Sequence, residues 1–314
     1  KIGAGAGITA VTLSSGADVG STAKRIEIGS GSGAVSVTAP GTVALAGIAD
    51  LALGSISGGT TATVDLISGG SITASGTVAG ATVTLNATTG IGTSAASRLD
   101  ISSPGAVSLT AGGDVFVSSG GSLSFSGISA GSNAIDVKTT GGGNIEATGA
   151  LVGGTVTLEA DGGIGTLGAV QLTTSGATAL TAHGAAAAGD ISVSFGSGDL
   201  STSNLTVTMD GTGVHALSVA TTGAITVDGD LNTGTSSLAL SAATIDGNGT
   251  AKLDGASISL TTTGALGGTT AVDIGTAVAT TIDSVGDAHL IYHSALITRD
   301  LTVTAVGSVL TIEG

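Results

Sequence analysis

Apolar residues in this chain alternate with Ser, Thr, Gly and Asp in short runs, and the runs return. Gly33-Ala34-Val35-Ser36-Val37-Thr38-Ala39 reappears as Gly105-Ala106-Val107-Ser108-Leu109-Thr110-Ala111. Val43 and Leu45 reappear as Val115 and Val117; Leu51, Leu53 and Ile56 reappear as Leu123, Phe125 and Ile128. The apolar positions are kept while the polar residues between them drift. A period of two sends successive side chains to opposite faces, so the pattern predicts half-buried strands. Short strands are expected at 35–38, 43–45, 51–53, 72–74 and 83–85, separated by Gly, Ser, Thr, Asn or Asp turns.

A longer period overlies the alternation. Val11-Thr12-Leu13 leads to Val19-Gly20, Thr82-Val83-Thr84-Leu85 to Gly90-Ile91-Gly92-Thr93, and Thr155-Val156-Thr157-Leu158 to Gly163-Ile164-Gly165-Thr166. A looser fourth copy runs from Leu238-Ala239-Leu240 to Asp246-Gly247-Asn248-Gly249-Thr250. Leu13, Leu85, Leu158 and Leu240 are 72, 73 and 82 residues apart, giving units at 8–80, 81–153, 154–236 and an incomplete 237–314. Self-similarity of this kind marks repeats that bury their apolar side only by stacking on neighbours. The expected fold is all-β: a right-handed parallel β-helix of roughly 13–17 coils, each of about 18–24 residues and rising about 4.8 Å. The expectation is one continuous β-solenoid segment of a longer protein, with three or four coils per unit. Tandem Ig-like β-sandwiches are the alternative fold. The third unit carries about ten extra residues between Thr181 and Gly223, which a solenoid would loop out on one face.

Composition favours the thin stacked core. Gly supplies 56 of 314 residues, and Phe116, Phe125, Phe195 and Tyr292 are the only aromatics. A sandwich core usually uses larger side chains. An apolar fraction of 41% argues against disorder. Seven Lys+Arg against 22 Asp+Glu leave a net charge of −15, which excludes a nucleic-acid partner and a basic membrane-docking patch. No apolar run reaches the ~18 residues of a membrane span, so membrane insertion is not expected. Cysteine is absent, which removes disulfides, thiol catalysis and Cys-ligated metal.

The chemistry-bearing residues are sparse. The Gly-Ile-Gly-Thr elements lack the following helix and base that a phosphate loop needs, and read as corners at positive φ. Asp228, Asp230 and Asn232 form an Asp-x-Asp-x-Asn run, the only calcium candidates. An EF-hand would also need Gly and Glu where Thr233 and Ala239 stand, so solvated turn carboxylates are the expectation. His289 and His293 would share one strand face without a third ligand, and His183 and His215 stand alone. Thr82/Thr84, Thr155/Thr157, Thr206/Thr208 and Thr302/Thr304 would point outward, too rarely for a continuous ice-binding array. No catalytic or cofactor-binding residue is assigned, and no enzyme activity is expected.

The texture Val-Thr-Leu-x-Ala-x-x-Gly-Ile-Gly-Thr, then Arg98-Leu99-Asp100-Ile101, then Gly105 to Val115 resembles large bacterial exoproteins of the filamentous haemagglutinin type. The likeness covers nearly the whole chain and is clearest over residues 8–175. It implies a right-handed parallel β-helix, often exported by the two-partner route, that serves as an adhesin or biofilm-matrix fibre. The expected role is the structural stem of a secreted or cell-surface bacterial adhesin or extracellular filament. Its expected partners are a host or neighbouring cell surface, matrix polysaccharide or like subunits, with end-to-end self-association through open solenoid ends. A carbohydrate-active β-helix lyase or glycosidase is the alternative.

Overall fold

The computed structural model describes residues 9–31, 33–196, 198–293, 301–304 and 309–314. It is a parallel β-solenoid of about 14 turns, and the chain divides into two compact units, Lys1–Asp161 and Gly162–Gly314. Among the described residues, every pairing between named strands for which a register is defined is parallel. This rules out tandem Ig-like sandwiches, whose sheets are antiparallel.

In the first unit, strands alternate between two sheets as the chain advances. Ala10–Ser14, Ala34–Ala39, Leu51–Gly58, Val78–Ala79, Leu99–Ser102, Val115–Ser119, Ala134–Thr139 and Thr155–Ala160 build one. Ile26–Ile28, Val43–Gly47, Thr63–Ser68, Thr82–Ala87, Ala106–Ala111, Leu123–Ser129 and Leu151–Gly153 build the other. Registered partners lie between 18 residues apart, as for Val35 and Leu53, and 24 apart, as for Leu85 and Leu109. The register stacks like on like: Leu45, Leu66, Leu85, Leu109, Ile128 and Leu151 form one continuous row. Each is essentially sealed from solvent. Aliphatic side chains suffice because each layer is capped by an identical one at strand spacing.

The long repeat is three and a half coils, not three or four. Leu13 lies on the first sheet, Leu85 on the second and Leu158 on the first again. Three coils carry Leu13 through Val37 and Ile56 to Val78, and the next copy begins half a coil later. Both sheets present a buried aliphatic face to the same interior, so a strand-and-corner module serves equally on either side.

The corner reading of the glycines holds, with one correction. Gly20, Gly92 and Gly165 have φ of 74°, 72° and 66°. A Cβ on them would overlap the carbonyl oxygens of Ala44, Phe116 and Ser192, one coil along. The apolar residue before each, Val19, Ile91 or Ile164, is buried and bridges the next coil. The structural fourth copy, however, is Leu266-Gly267, six residues after Leu260. Gly267 has φ 65° and abuts the His289 carbonyl; Gly249, at φ 81°, is also left-handed, but a Cβ there would meet only the Thr270 methyl at 3.9 Å, and Gly247 lies in the strand Thr244–Gly247. The alignment of Ile258-Ser259-Leu260 through Leu266-Gly267 on Val156-Thr157-Leu158 through Ile164-Gly165 is gapless. It was hidden because Thr and Ala replace the glycine and acids between.

In the second unit, one sheet contains Val170–Thr174, Ile191–Phe195, Ala216–Thr221, Ser237–Ala242, Ser257–Thr262, Ala279–Ser284 and Leu301–Thr304. Opposite it, the pair Thr178–Ala182 and Leu205–Met209 gives way to strands of two to five residues. These are Leu200–Ser201, Ala224–Val227 and Thr244–Gly247, then Leu231–Asn232, Lys252–Asp254, Val272–Ile274, Ala288–Tyr292 and Leu310–Glu313.

Gly92→Ala combines a left-handed backbone with a carbonyl clash, and should cost about 2–3 kcal/mol. Gly120→Ala meets open space and should be near neutral. Urea unfolding of the two variants measures the difference; equal midpoints would contradict the corner geometry.

Candidate functional site

Where a strand begins, the ladder of backbone bonds has to start from a turn, and an N–H facing the preceding coil there would lack an acceptor. This chain supplies carboxylates. Asp18, Asp50, Asp114, Asp190, Asp199, Asp230, Asp246, Asp254 and Asp287 each accept a backbone N–H from the next coil at 2.6–2.9 Å. Seven sit immediately before a buried apolar residue and bond the amide of their own register partner, as Asp114 does with Ala134 and Asp230 with Lys252. The sequence carries the signal as Gly-Asp-apolar at Asp114, Asp190, Asp199, Asp230 and Asp287. Sequence reasoning passed it over, because only the coil register shows which amide lies opposite.

This corrects the reading of the acidic turns as merely solvated, and dissolves the calcium candidate. Asp228 turns back to the preceding coil, where it accepts from the Ser201 hydroxyl at 2.7 Å, the Ser203 N–H at 2.8 Å and the Ser203 hydroxyl at 3.1 Å. Asp230 turns forward to the Lys252 amide, and Asn232 accepts the N–H of Gly234 in its own turn at 2.8 Å. The three side chains leave in three directions. Among the described residues no three His, Cys, Asp or Glu side chains gather as a metal site. Desolvation alone would raise the Asp228 pKa, but the Ser201 and Ser203 donors outweigh it and hold the carboxyl below its ordinary value of 3.8.

Arg25 and Arg98 are clamps. Arg98 donates from Nε and Nη2 to Asp136 at 2.9 and 2.7 Å, reaching past Phe116 to the second coil along, and also holds the Ala95 carbonyl. Arg25 repeats this, spanning Ala44 to reach Asp65 and holding the Thr22 carbonyl at 2.8 Å. Asp65 and Asp136 are only 6% and 9% exposed, so each requires its cation. Gln171 takes the arginine position in the third copy. The two Arg–Asp pairs lie 40 and 38 residues apart, so their common role emerges only from the coil register. The histidines also pair separately: His183 with Asp210, His289 with Glu313 at 3.0 Å, and His293 with Asp273 at 2.6 Å. His289 and His293 therefore do not converge. Thr82, Thr84, Thr155 and Thr157 point outward around buried Val83 and Val156, while Thr302 and Thr304 lie outside the described side chains.

The lengthened copy builds an irregular feature that leaves the edge of a five-residue strand open among the described residues. Leu180 pairs with Val207, 27 residues on, and Val193 with Val219, 26 on, before Val219 to Leu240 returns to 21. The 3-10 turns Ala186–Gly189 and Thr202–Asn204 take up part of the excess. A ledge lies at the end of the sheet that holds Thr178–Ala182. Leu205–Met209 pairs with Thr178–Ala182 on one side, and among the described residues no strand pairs with its other side. Asp210 N–H bonds the Ala182 carbonyl at 3.3 Å. Strand alternation then directs the backbone groups of Thr206 and Thr208 to Thr178–Ala182, and those of Val207 and Met209 outward. The half-buried side chains of Val207 and Met209 line a groove of about 360 Å³ with Gly211, Gly213, His215 and residues 232–236. Buried His215 anchors the far wall, its N–H bonding the Ser236 hydroxyl at 3.1 Å and its ring contacting the Gly211 carbonyl at 3.1 Å.

Removing Arg98 strands the Asp136 carboxylate in a mostly buried site. Arg98→Ala should therefore cost about 2–4 kcal/mol, and Arg98→Ala with Asp136→Ala less than the sum of the singles; a double-mutant cycle in urea reads the coupling. For Asp228 the depressed folded pKa means its stabilisation is complete above the unfolded value near 3.8 and is lost as pH falls through the folded pKa. Asp228→Asn should melt below the parent at neutral pH, and the gap should close only under strongly acidic conditions. A gap that persists unchanged at low pH would contradict the assignment.

The chain matches no protein-family model, no curated protein and no solved structure.

Proposed function

We propose that the chain is the structural stem of a secreted or cell-surface bacterial adhesin or extracellular filament, acting in attachment. The observation that carries this reading is where the charged side chains are used. Nine aspartates bind amides of the adjacent coil, and two arginines clamp coils two apart. Chemistry spent on tying coil to coil suits a spacer that must keep its length under load. The resemblance of the repeat texture to filamentous haemagglutinin-type exoproteins agrees with it. On this reading the partners are a host or neighbouring cell surface, matrix polysaccharide or like subunits, and the site of action is extracellular or at the cell surface.

Immunogold electron microscopy of native cells, with antibody raised against this chain, tests the proposal. Label on surface fibres or spikes is the expected result. Label confined to the cell interior would overturn it, as would release of reducing ends or unsaturated sugars from matrix polysaccharide by the purified chain.

A further inference from the structure

We propose that the ledge at Leu205–Met209 binds an extended, basic peptide segment of a partner, which adds to the sheet as a further strand beside Val207 and Met209. The inference stands independently of the stem reading. Three features of the ledge converge on this occupant. First, the outer edge of this strand is open, and Val207 and Met209 turn their N–H and C=O groups toward the groove rather than toward Thr178–Ala182. An open edge is a template for strand addition, and proteins usually blunt it with Lys, Pro, a bulge or a cover. Leu205-Thr206-Val207-Thr208-Met209 has no Lys or Pro and no bulge in its pairing.

Second, the groove sets two apolar side chains within a mostly polar lining. Val207 and Met209 are half-buried, and Thr233 and Ser236 stand opposite. An incoming strand that places alternate apolar side chains inward would complete the interrupted core, while its backbone would satisfy the free edge. At about 360 Å³ the groove lies in the range of sites that hold a ligand.

Third, charge selects the partner. Asp210, exposed and paired with His183, directly follows the strand, and exposed Asp230, which accepts the Lys252 N–H through one oxygen, precedes the Asn232 wall. The whole chain carries a net charge of −15. A second copy would bring the same acidic surface to the ledge, whereas Lys or Arg side chains on the solvent-facing positions of a peptide would meet it favourably.

The test uses the whole chain and a fluorescein-labelled, end-capped peptide alternating Lys and Val. Fluorescence anisotropy should show saturable binding, and hydrogen exchange at the Val207 and Met209 amides should slow when the peptide is added. The same peptide N-methylated on alternate amides, and one alternating Glu and Val, should each bind about tenfold more weakly or worse. Val207→Pro removes an outward donor and should cause a similar loss; the N-methylated peptide gives the same answer if that variant fails to fold. Binding without protection of Val207 and Met209 would overturn the proposal, because it would be adsorption to an acidic surface. So would equal affinity of the N-methylated peptide, or an absence of binding at about 1 mM. Concentration-dependent protection of these amides without peptide would place a second copy on the ledge and refute the assignment.

Discussion

Everything in this protein depends on one requirement: each coil must hydrogen-bond the coils before and after it through its main chain, at a spacing of about 4.8 Å. Straight strands meet the requirement without help from side chains, and their interior positions are then free to stack alike, as Leu45 to Leu151 do. The entrances to the strands are harder, because a turning backbone cannot present a carbonyl to every amide. There the aspartate side chain acts as a substitute acceptor. The acidity of the chain is therefore largely a property of its scaffold: a carboxylate before a buried apolar residue is what starts the next strand in register.

The same requirement explains the corner glycines and the two clamping arginines. At Gly20, Gly92, Gly165 and Gly267 the chain turns so close beneath the carbonyl of the following coil that no Cβ fits, and the left-handed backbone there is one glycine adopts readily. Arg25 and Arg98 close the corner loop by holding a carbonyl three residues back, and tie it to an aspartate two coils away. Corner, clamp and strand form one module. In the first unit it returns after three and a half coils, on the opposite wall each time.

Coil length is the variable that this arrangement leaves open. Coils of similar length cover one another completely. Steps of 24 and 18 still stack in one continuous sheet in the first unit, whereas beyond the 27-residue step Leu205–Met209 has no strand on its far side among the described residues, which leaves backbone and apolar side chains partly uncovered.

Much of the fold was legible in the sequence. The alternation of apolar residues located the strands, small aliphatics implied a thin stacked interior, and Gly-Ile-Gly marked the corners, because each of these is a local steric or solvation preference. The extra residues between Thr181 and Gly223 also pointed to the region of the ledge. What only the tertiary structure decided is which residues meet across coils. Asp228, Asp230 and Asn232 stand at alternate positions of one turn, yet they bond the coil behind, the coil ahead and their own turn. The half-coil offset of the repeat and the Arg98–Asp136 clamp were hidden for the same reason, while the fourth corner at Leu266-Gly267 was masked by the Thr and Ala residues between its strand and its glycine. Periodicity along a chain fixes where strands begin, but coil lengths that vary by several residues leave the register, and so every contact between coils, to be settled by packing.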